Sequence, residues 1–201
     1  MAQINLYYRT QLETNVSILP QQIDGNIDDH MLKNLRHKIE GKTNENGFVL
    51  KVNRLISYDD GMIDKANSMG TTVFPVTYEC FICSPTIGLE IICVIENIIT
   101  GYLVAKNGPI KCAIGYINID HKKFEISDKN VVFKKTKEAL KKGDYIKVSI
   151  INISFKNHYG KKYMHTVCKL LNLASKTEIQ AYDDDQRLVD DNVQVNDDEF
   201  I

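Results

Sequence analysis

TYECFICSPTIGLEIICVIENIITGYLVAK, residues 77 to 106, decides how the chain divides. A β-rich run reaches Pro85, turns, and restarts at Gly88 as a new strand. That strand turns across residues 97–101 and returns through Tyr102, Leu103 and Val104. The stretch therefore reads as a seam between two small β units, with everything upstream in one and everything downstream in the other.

Upstream, residues 4–18 mix β-branched and aromatic residues with polar ones, which suits an edge strand. Leu19 and Pro20 end it. Asn26 to Asp29 offer helix N-cap chemistry, and Met31, Leu32, Leu35 and Ile39 follow at helical spacing. Lys38 falls in the last turn and Gly41 at the position past the C-cap. Residues 47–56 read as a strand and 57–61 as a turn, with Asp59-Asp60-Gly61 the strongest hairpin signal. A short return strand starts at Met62, and a loop over 64–70 leads into a long strand at 71–82. Strand, helix and three-strand meander make an α+β unit.

Downstream the strands shorten to 88–96, 101–106 and 110–117. A polar stretch, 121–144, holds one short strand at Val131 to Phe133 and is too long for a simple turn. Strands at 144–155 and 161–171 follow, joined by a loop at 156–160. Five strands with a long connection between the third and fourth describe an OB fold. Residues 176–201 show no periodicity and read as a disordered acidic tail. The division expected is 1–85, 86–175 and 176–201. Fusion of the two sheets into one sandwich is the competing architecture.

An apolar fraction of 43% in 201 residues is that of a folded globular chain. No apolar run approaches the ~18 residues of a bilayer span, and the first ten residues lack a signal-peptide layout. The expectation is an intracellular protein with no membrane partner. Five cysteines, an odd number at irregular spacing, read as free thiols. Cys80 and Cys83 form a C-x-x-C without a second ligand pair, and on a strand they face opposite sides. No metal or other cofactor is expected. The net charge of −1 hides an asymmetry: residues 176–201 carry nine acidic and two basic residues, while residues 120–175 carry thirteen lysines against five acids. A lysine-rich body with an acidic tail points to a polyanion partner. No nucleophile elbow or glycine-rich phosphate loop is present, and the five histidines lack partners at metal spacing. Asp183, Asp184 and Asp185 look like a magnesium cluster only superficially, because they fall in the tail. The chain does not read as an enzyme.

Glu40-Gly41 ending a helix, then Gly47-Phe48-Val49 opening a strand, begin a familiar order of landmarks. Phe74-Pro75-Val76, Tyr78, Pro85, Gly88-Leu89-Glu90 and Gly101-Tyr102-Leu103-Val104 continue it. In that order and spacing the chain, over residues 4–173, resembles the seventh subunit of eukaryotic RNA polymerase II and its archaeal stalk counterpart. The Asn- and Lys-rich divergence, the polar insert at 121–143 and the acidic extension depart from the family and point to a large DNA virus. The resemblance implies a non-catalytic stalk subunit that docks on the core subunits of a multisubunit RNA polymerase and meets nascent single-stranded RNA. It also allows a smaller stalk partner, and a viral source would place the protein in the virion and the host cytoplasm or nucleus. The rival reading is a free-standing single-stranded RNA-binding protein with a dimerisation or partner module.

An OB barrel binds a single strand by stacking bases on aromatics and meeting phosphates with lysines, each stacked base contributing about 1–3 kcal/mol. Tyr102 and Tyr116, expected on barrel strands, and His158, Tyr159 and Tyr163 around the last hairpin are the stacking candidates. Lys106, Lys111, Lys156, Lys161 and Lys162 are the phosphate candidates. Packing at the barrel rim is the competing role for the tyrosines. Lys134, Lys135, Lys137, Lys141 and Lys142 form either an RNA-facing flap or a solvated loop. For docking, the resemblance implies the tip of the first unit, here Tyr58, Asp59, Asp60, Gly61, Met62 and Ile63. Met62 and Ile63 beside a tight turn fit a wedge, or else cap their own sheet.

Overall fold

Pro85 begins the second of two units into which the chain divides, Asn5–Ser84 forming the first and Pro85–Asp191 the second. The structure, a computed structural model, describes residues 5–63, 70–127, 130–154 and 164–193.

In the first unit the elements run β1 (Tyr7–Ile18), α1 (Ile27–Ile39), β2 (Thr43–Asn44), β3 (Gly47–Tyr58), β4 (Met62–Ile63) and β5 (Thr72–Cys83). The sheet order is β1-β5-β3-β2, with β4 also on β5. Every second residue of β5 (Val76, Tyr78, Cys80, Ile82) faces the helix. Against them α1 lays Met31 and Leu35, both fully buried, with Leu32 and Ile39 at the margin. This is the apolar stripe expected of the helix. The helix also covers part of the open β1 edge: Asn34 Nδ2 donates to the Ser17 carbonyl at 3.0 Å, and Lys38 Nζ donates to that of Asn15. An unpaired edge strand is thereby blunted against further pairing.

Asp59-Asp60-Gly61 does not make the expected hairpin. β3 and β4 both pair antiparallel with β5, Tyr58 opposite Val76 and Met62 opposite Val73. The chain thus continues in one direction past β5 and reverses only after Ile63. Three residues, 59–61, stand opposite two, Phe74 and Pro75, so the segment is a local bulge. Pro75 supplies the reason. It has no N–H to offer β3, and its carbonyl alone is used, accepting from the Asp59 N–H at 3.0 Å.

The second unit contains β6 (Glu90–Ile99), β7 (Tyr102–Asn107), β8 (Ile110–Gly115), β9 (Phe124–Ser127), β10 (Asn130–Phe133), β11 (Glu138–Ala139), β12 (Tyr145–Ser154), β13 (Met164–Leu173) and α2 (Lys176–Val193). Five strands close a barrel in the order β12-β13-β8-β7-β6, with β6 pairing back to β12. The third and fifth barrel strands, β8 and β13, pair in parallel, and the other barrel pairs are antiparallel. This is the five-stranded OB-type barrel the sequence predicts. Ile91, Cys93, Ile95, Leu103, Ala105, Ile110, Cys112, Ile114, Ile146, Val148, Ile150, Met164, Cys168 and Leu170 fill its interior.

Four details differ from expectation. β6 runs on to Ile99 through a register shift between Ile95 and Asn97, and the turn is Thr100-Gly101, Gly101 taking a φ of 96°. Tyr116 is not on a barrel strand: β8 stops at Gly115, and Tyr116–Asn118 form a single 3₁₀ turn. The polar insert is a three-stranded sheet, β11-β10-β9, closed over Phe124, Val131 and Leu140.

The fourth is the largest. Lys176–Val193, expected as disordered tail, is an eighteen-residue helix. Ser175 and Glu178 make a reciprocal cap: the Ser175 N–H and hydroxyl both donate to the Glu178 carboxylate at 2.8 Å, and the Glu178 N–H returns to Ser175 Oγ at 3.4 Å. Ile179, Tyr182, Gln186 and Val189 recur at spacings of three, four and three, with Tyr182 and Val189 buried. The acidic and amide side chains that surround this stripe hide it from a compositional reading. Residues 194–201 lie outside the described residues. Among the described residues no helix is long and apolar enough to cross a membrane.

Candidate docking edge and nucleic-acid interface

The exposed end of the first unit gathers around the bulge. Tyr58 stands edge-on to Phe74, ring centroids 6.0 Å apart, and the Asp28 carboxylate nearby raises the pKa of its phenol. A side chain at Gly61 has no room, because a Cβ there would lie 2.5 Å from the Phe74 ring and 2.6 Å from Thr72 Cγ2. Packing so close to β5, Gly61 hands the chain to Met62 and Ile63, which are 66% and 68% exposed. They do not cap their own sheet. Two shallow surface depressions of about 400 and 460 Å³ share Ser57 and Tyr58; Glu13 and Asp59 line one, Asp28 and Asp29 the other. The six residues expected to dock thus form one continuous segment, all of them exposed, with apolar side chains at one end and carboxylates beside them.

On the barrel, alternation along each strand sets which side chains leave the core. β7 turns Tyr102, Val104 and Lys106 outward, β8 turns Lys111 and Ala113, and β13 turns His165, Val167 and Lys169. Strand register then aligns them in rows. Lys106 is opposite Lys111, which is opposite His165; Val104, Ala113 and Val167 form the next row. Tyr102 stands in the row after that, across from Gly115. With no side chain on Gly115 to pack against, Tyr102 keeps 40% of its surface open. The result is a basic row, an apolar row and an aromatic end on one surface. Lys106 also pairs with Glu96 at 3.4 Å.

Of the residues expected on this interface, Tyr102, Lys106 and Lys111 come together. Tyr116 sits beside them but is half-buried; its phenol donates to the Ile99 carbonyl at 3.3 Å and its N–H to that of Gly101 at 3.0 Å. It braces the β6–β7 turn. Lys156, His158, Tyr159, Lys161, Lys162 and Tyr163 lie outside the described residues. His165, Lys169 and the apolar row were missed by sequence reading, although strict alternation from Met164 to Leu170 carried the signal. Lys134, Lys135 and Lys137 sit on the exposed turn between β10 and β11, where Lys134 Nζ donates to the His121 carbonyl at 2.6 Å.

All five cysteines are buried thiols, none of them in a disulfide. Burial pushes the Cys80 thiol up to about 11. Inside the barrel, Cys93 and Cys112 are 3.4 Å apart, and Thr166 Oγ1 lies 3.3 Å from both Cys112 and Cys168. Hydrogen bonding among the neighbouring thiols, together with burial, raises Cys112 and Cys168, so the protonated form is favoured. Among the described residues no group of three or more His, Cys, Asp or Glu is arranged to hold a metal ion.

Comparison with known proteins covers both units. Residues 13–67 match the SHS2 domain found in the N terminus of Rpb7p/Rpc25p/MJ0397. The chain is 50% identical over 189 residues to the provisionally named DNA-directed RNA polymerase subunit L376 of Acanthamoeba polyphaga mimivirus, covering 94% of each. It is 24% identical over 125 residues to DNA-directed RNA polymerase II subunit RPB7 of Glycine max, covering 61% of this chain and 70% of that one.

Proposed function

This chain belongs to the family of Rpb7-like DNA-directed RNA polymerase subunits, and from that premise we propose that it is a non-catalytic stalk subunit. It docks on the polymerase core through the first unit and carries nascent single-stranded RNA over the barrel. The observation that supports this reading best is the pairing of unlike surfaces on one chain. The first unit offers exposed Met62 and Ile63 with carboxylates alongside, chemistry suited to a protein partner. The barrel offers Lys106, Lys111 and His165 in register beside an open tyrosine ring, chemistry suited to a strand of phosphates and bases.

Its working place is intracellular, wherever the polymerase assembles, in the virion and host cytoplasm or nucleus for a viral enzyme. The decisive experiment is affinity purification of the full chain from its native source. The expected result is recovery with the large polymerase subunits, and the same gel reports whether a smaller stalk partner accompanies them. Recovery without the large subunits would favour the free-standing RNA-binding alternative.

A further inference from the structure

The barrel has a second outer flank, and it is partly covered. Across the β6–β12 seam the outward residues are Glu90, Ile92, Val94, Tyr145, Lys147 and Ser149, and α2 is fastened to this flank and to Asn107 beside it at three points. Lys147 Nζ pairs with Glu90 at 2.9 Å and with Glu178 at 3.1 Å. The Tyr145 and Tyr182 rings meet edge-on at 5.6 Å. Gln186 Nε2 donates to Asn107 Oδ1 at 3.1 Å, while Asn107 Nδ2 donates to the Ile92 carbonyl at 2.7 Å.

These contacts change the charge of that flank. Lys147, the one lysine in this outward set, is shared between two carboxylates, one of them on α2. The helix that replaces it at the surface has six acidic residues against two basic ones, with Asp184, Asp185 and Asp190 exposed. The β7–β8–β13 flank carries the opposite sign through Lys106, Lys111 and Lys169. Glu96, paired to Lys106, marks the border between them.

We infer that α2 is an electrostatic guard: it denies the β6–β12 flank to RNA and confines the strand to the β7–β8–β13 face. The inference rests on the proposed RNA contact of the barrel. Repulsion from the helix lowers affinity while setting the path, which suits a subunit that must let its RNA slide. Screening limits its reach, since the Debye length is about 8 Å at physiological salt and about 30 Å at 0.01 M.

The test uses the full chain, a photoreactive single-stranded RNA, and the variant Asp184→Asn/Asp185→Asn/Asp190→Asn, whose substitutions touch neither the buried stripe nor Lys147. Circular dichroism checks that α2 persists. In about 20 mM salt the variant is expected to bind roughly threefold or more tighter than wild type, the gap closing by about 0.3 M. Crosslinks in the wild type fall on β7, β8 and β13, and in the variant they spread to α2. Equal affinity and equal crosslinks in both proteins, or wild-type crosslinks on β6, β12 or α2, overturn the guard while leaving RNA binding intact. Absence of binding in both proteins at every salt overturns the RNA reading itself, and the guard with it.

Discussion

The two units solve the problem of an open sheet edge in different ways, and the difference sorts their surfaces. The barrel closes β6 on β12, so its edges vanish and only outward side chains remain to meet a partner. Those side chains are lysine, histidine, valine and tyrosine in register. The first unit stays open. Its β1 edge is held partly by Asn34 and Lys38, and its other edge is interrupted where Pro75 meets the bulge at 59–61. There the sheet exposes two large apolar side chains beside acids. A closed barrel presents a repeating charged lattice, whereas an interrupted edge presents a single irregular knob.

The most direct challenge to this contrast is to move charge onto the knob. Met62→Asp/Ile63→Asp is expected to reduce recovery of the large polymerase subunits tenfold or more in affinity purification. Because both side chains are mostly exposed, thermal unfolding of the isolated chain should hardly change, as surface substitutions usually stay within about 0.5 kcal/mol. The reciprocal change is on the lattice. Tyr102→Ala with Lys106→Glu and Lys111→Glu is expected to weaken single-stranded RNA binding about tenfold or more, with the stacking loss alone about 1–3 kcal/mol. The slope of log affinity against log salt should flatten by about 0.7 for each lysine lost. Polymerase recovery should be unaffected.

A third substitution asks whether the knob depends on the bulge. Gly61→Ala puts a Cβ 2.5 Å from the Phe74 ring, and overpacking of that kind costs about 1–3 kcal/mol. Urea unfolding should register the loss, and polymerase recovery should fall only in part. The smallest effect concerns the cap of α2. Hydrogen bonds from Ser175 and the pairing with Lys147 hold the Glu178 carboxyl down at about 2. Its contribution is therefore present above its ordinary value of 4.5 and is lost as pH falls from there towards about 2. Glu178→Gln should match wild type in thermal unfolding near pH 2 and be less stable above pH 5, by under about 1 kcal/mol because the pair is partly solvated.

Local chemistry made much of this legible. The α1 stripe, Gly41 past its end and the five short strands after Gly88 each follow from residues within one turn or one strand, and the structure keeps them all. The outward placement of Tyr102, Lys106 and Lys111 is legible for the same reason, since alternation on a short strand decides which side chains leave the core. The failures share a cause. Asp59-Asp60-Gly61 has the composition of a turn, and Asp183-Asp184-Asp185 that of a solvated tail. Each was judged by its own residues, while its conformation depends on a distant partner.

Most of the elements and the family are written in the chain alone, because periodicity and landmark order are properties of neighbouring residues. Three further features are contained in no local pattern and had to wait for the folded molecule. Pro75, on another strand, turned a hairpin signal into a bulge by withholding an N–H. Register across β7, β8 and β13 joined Lys106, Lys111 and His165 into one row from positions up to 59 residues apart. The β6–β12 seam turned an acidic segment into a helix, because Tyr182 and Val189 gain a buried surface only when the closed barrel is there to receive them. Helix formation in a short polar segment is marginal without such packing, and that is why the seam, rather than the segment, settled its structure.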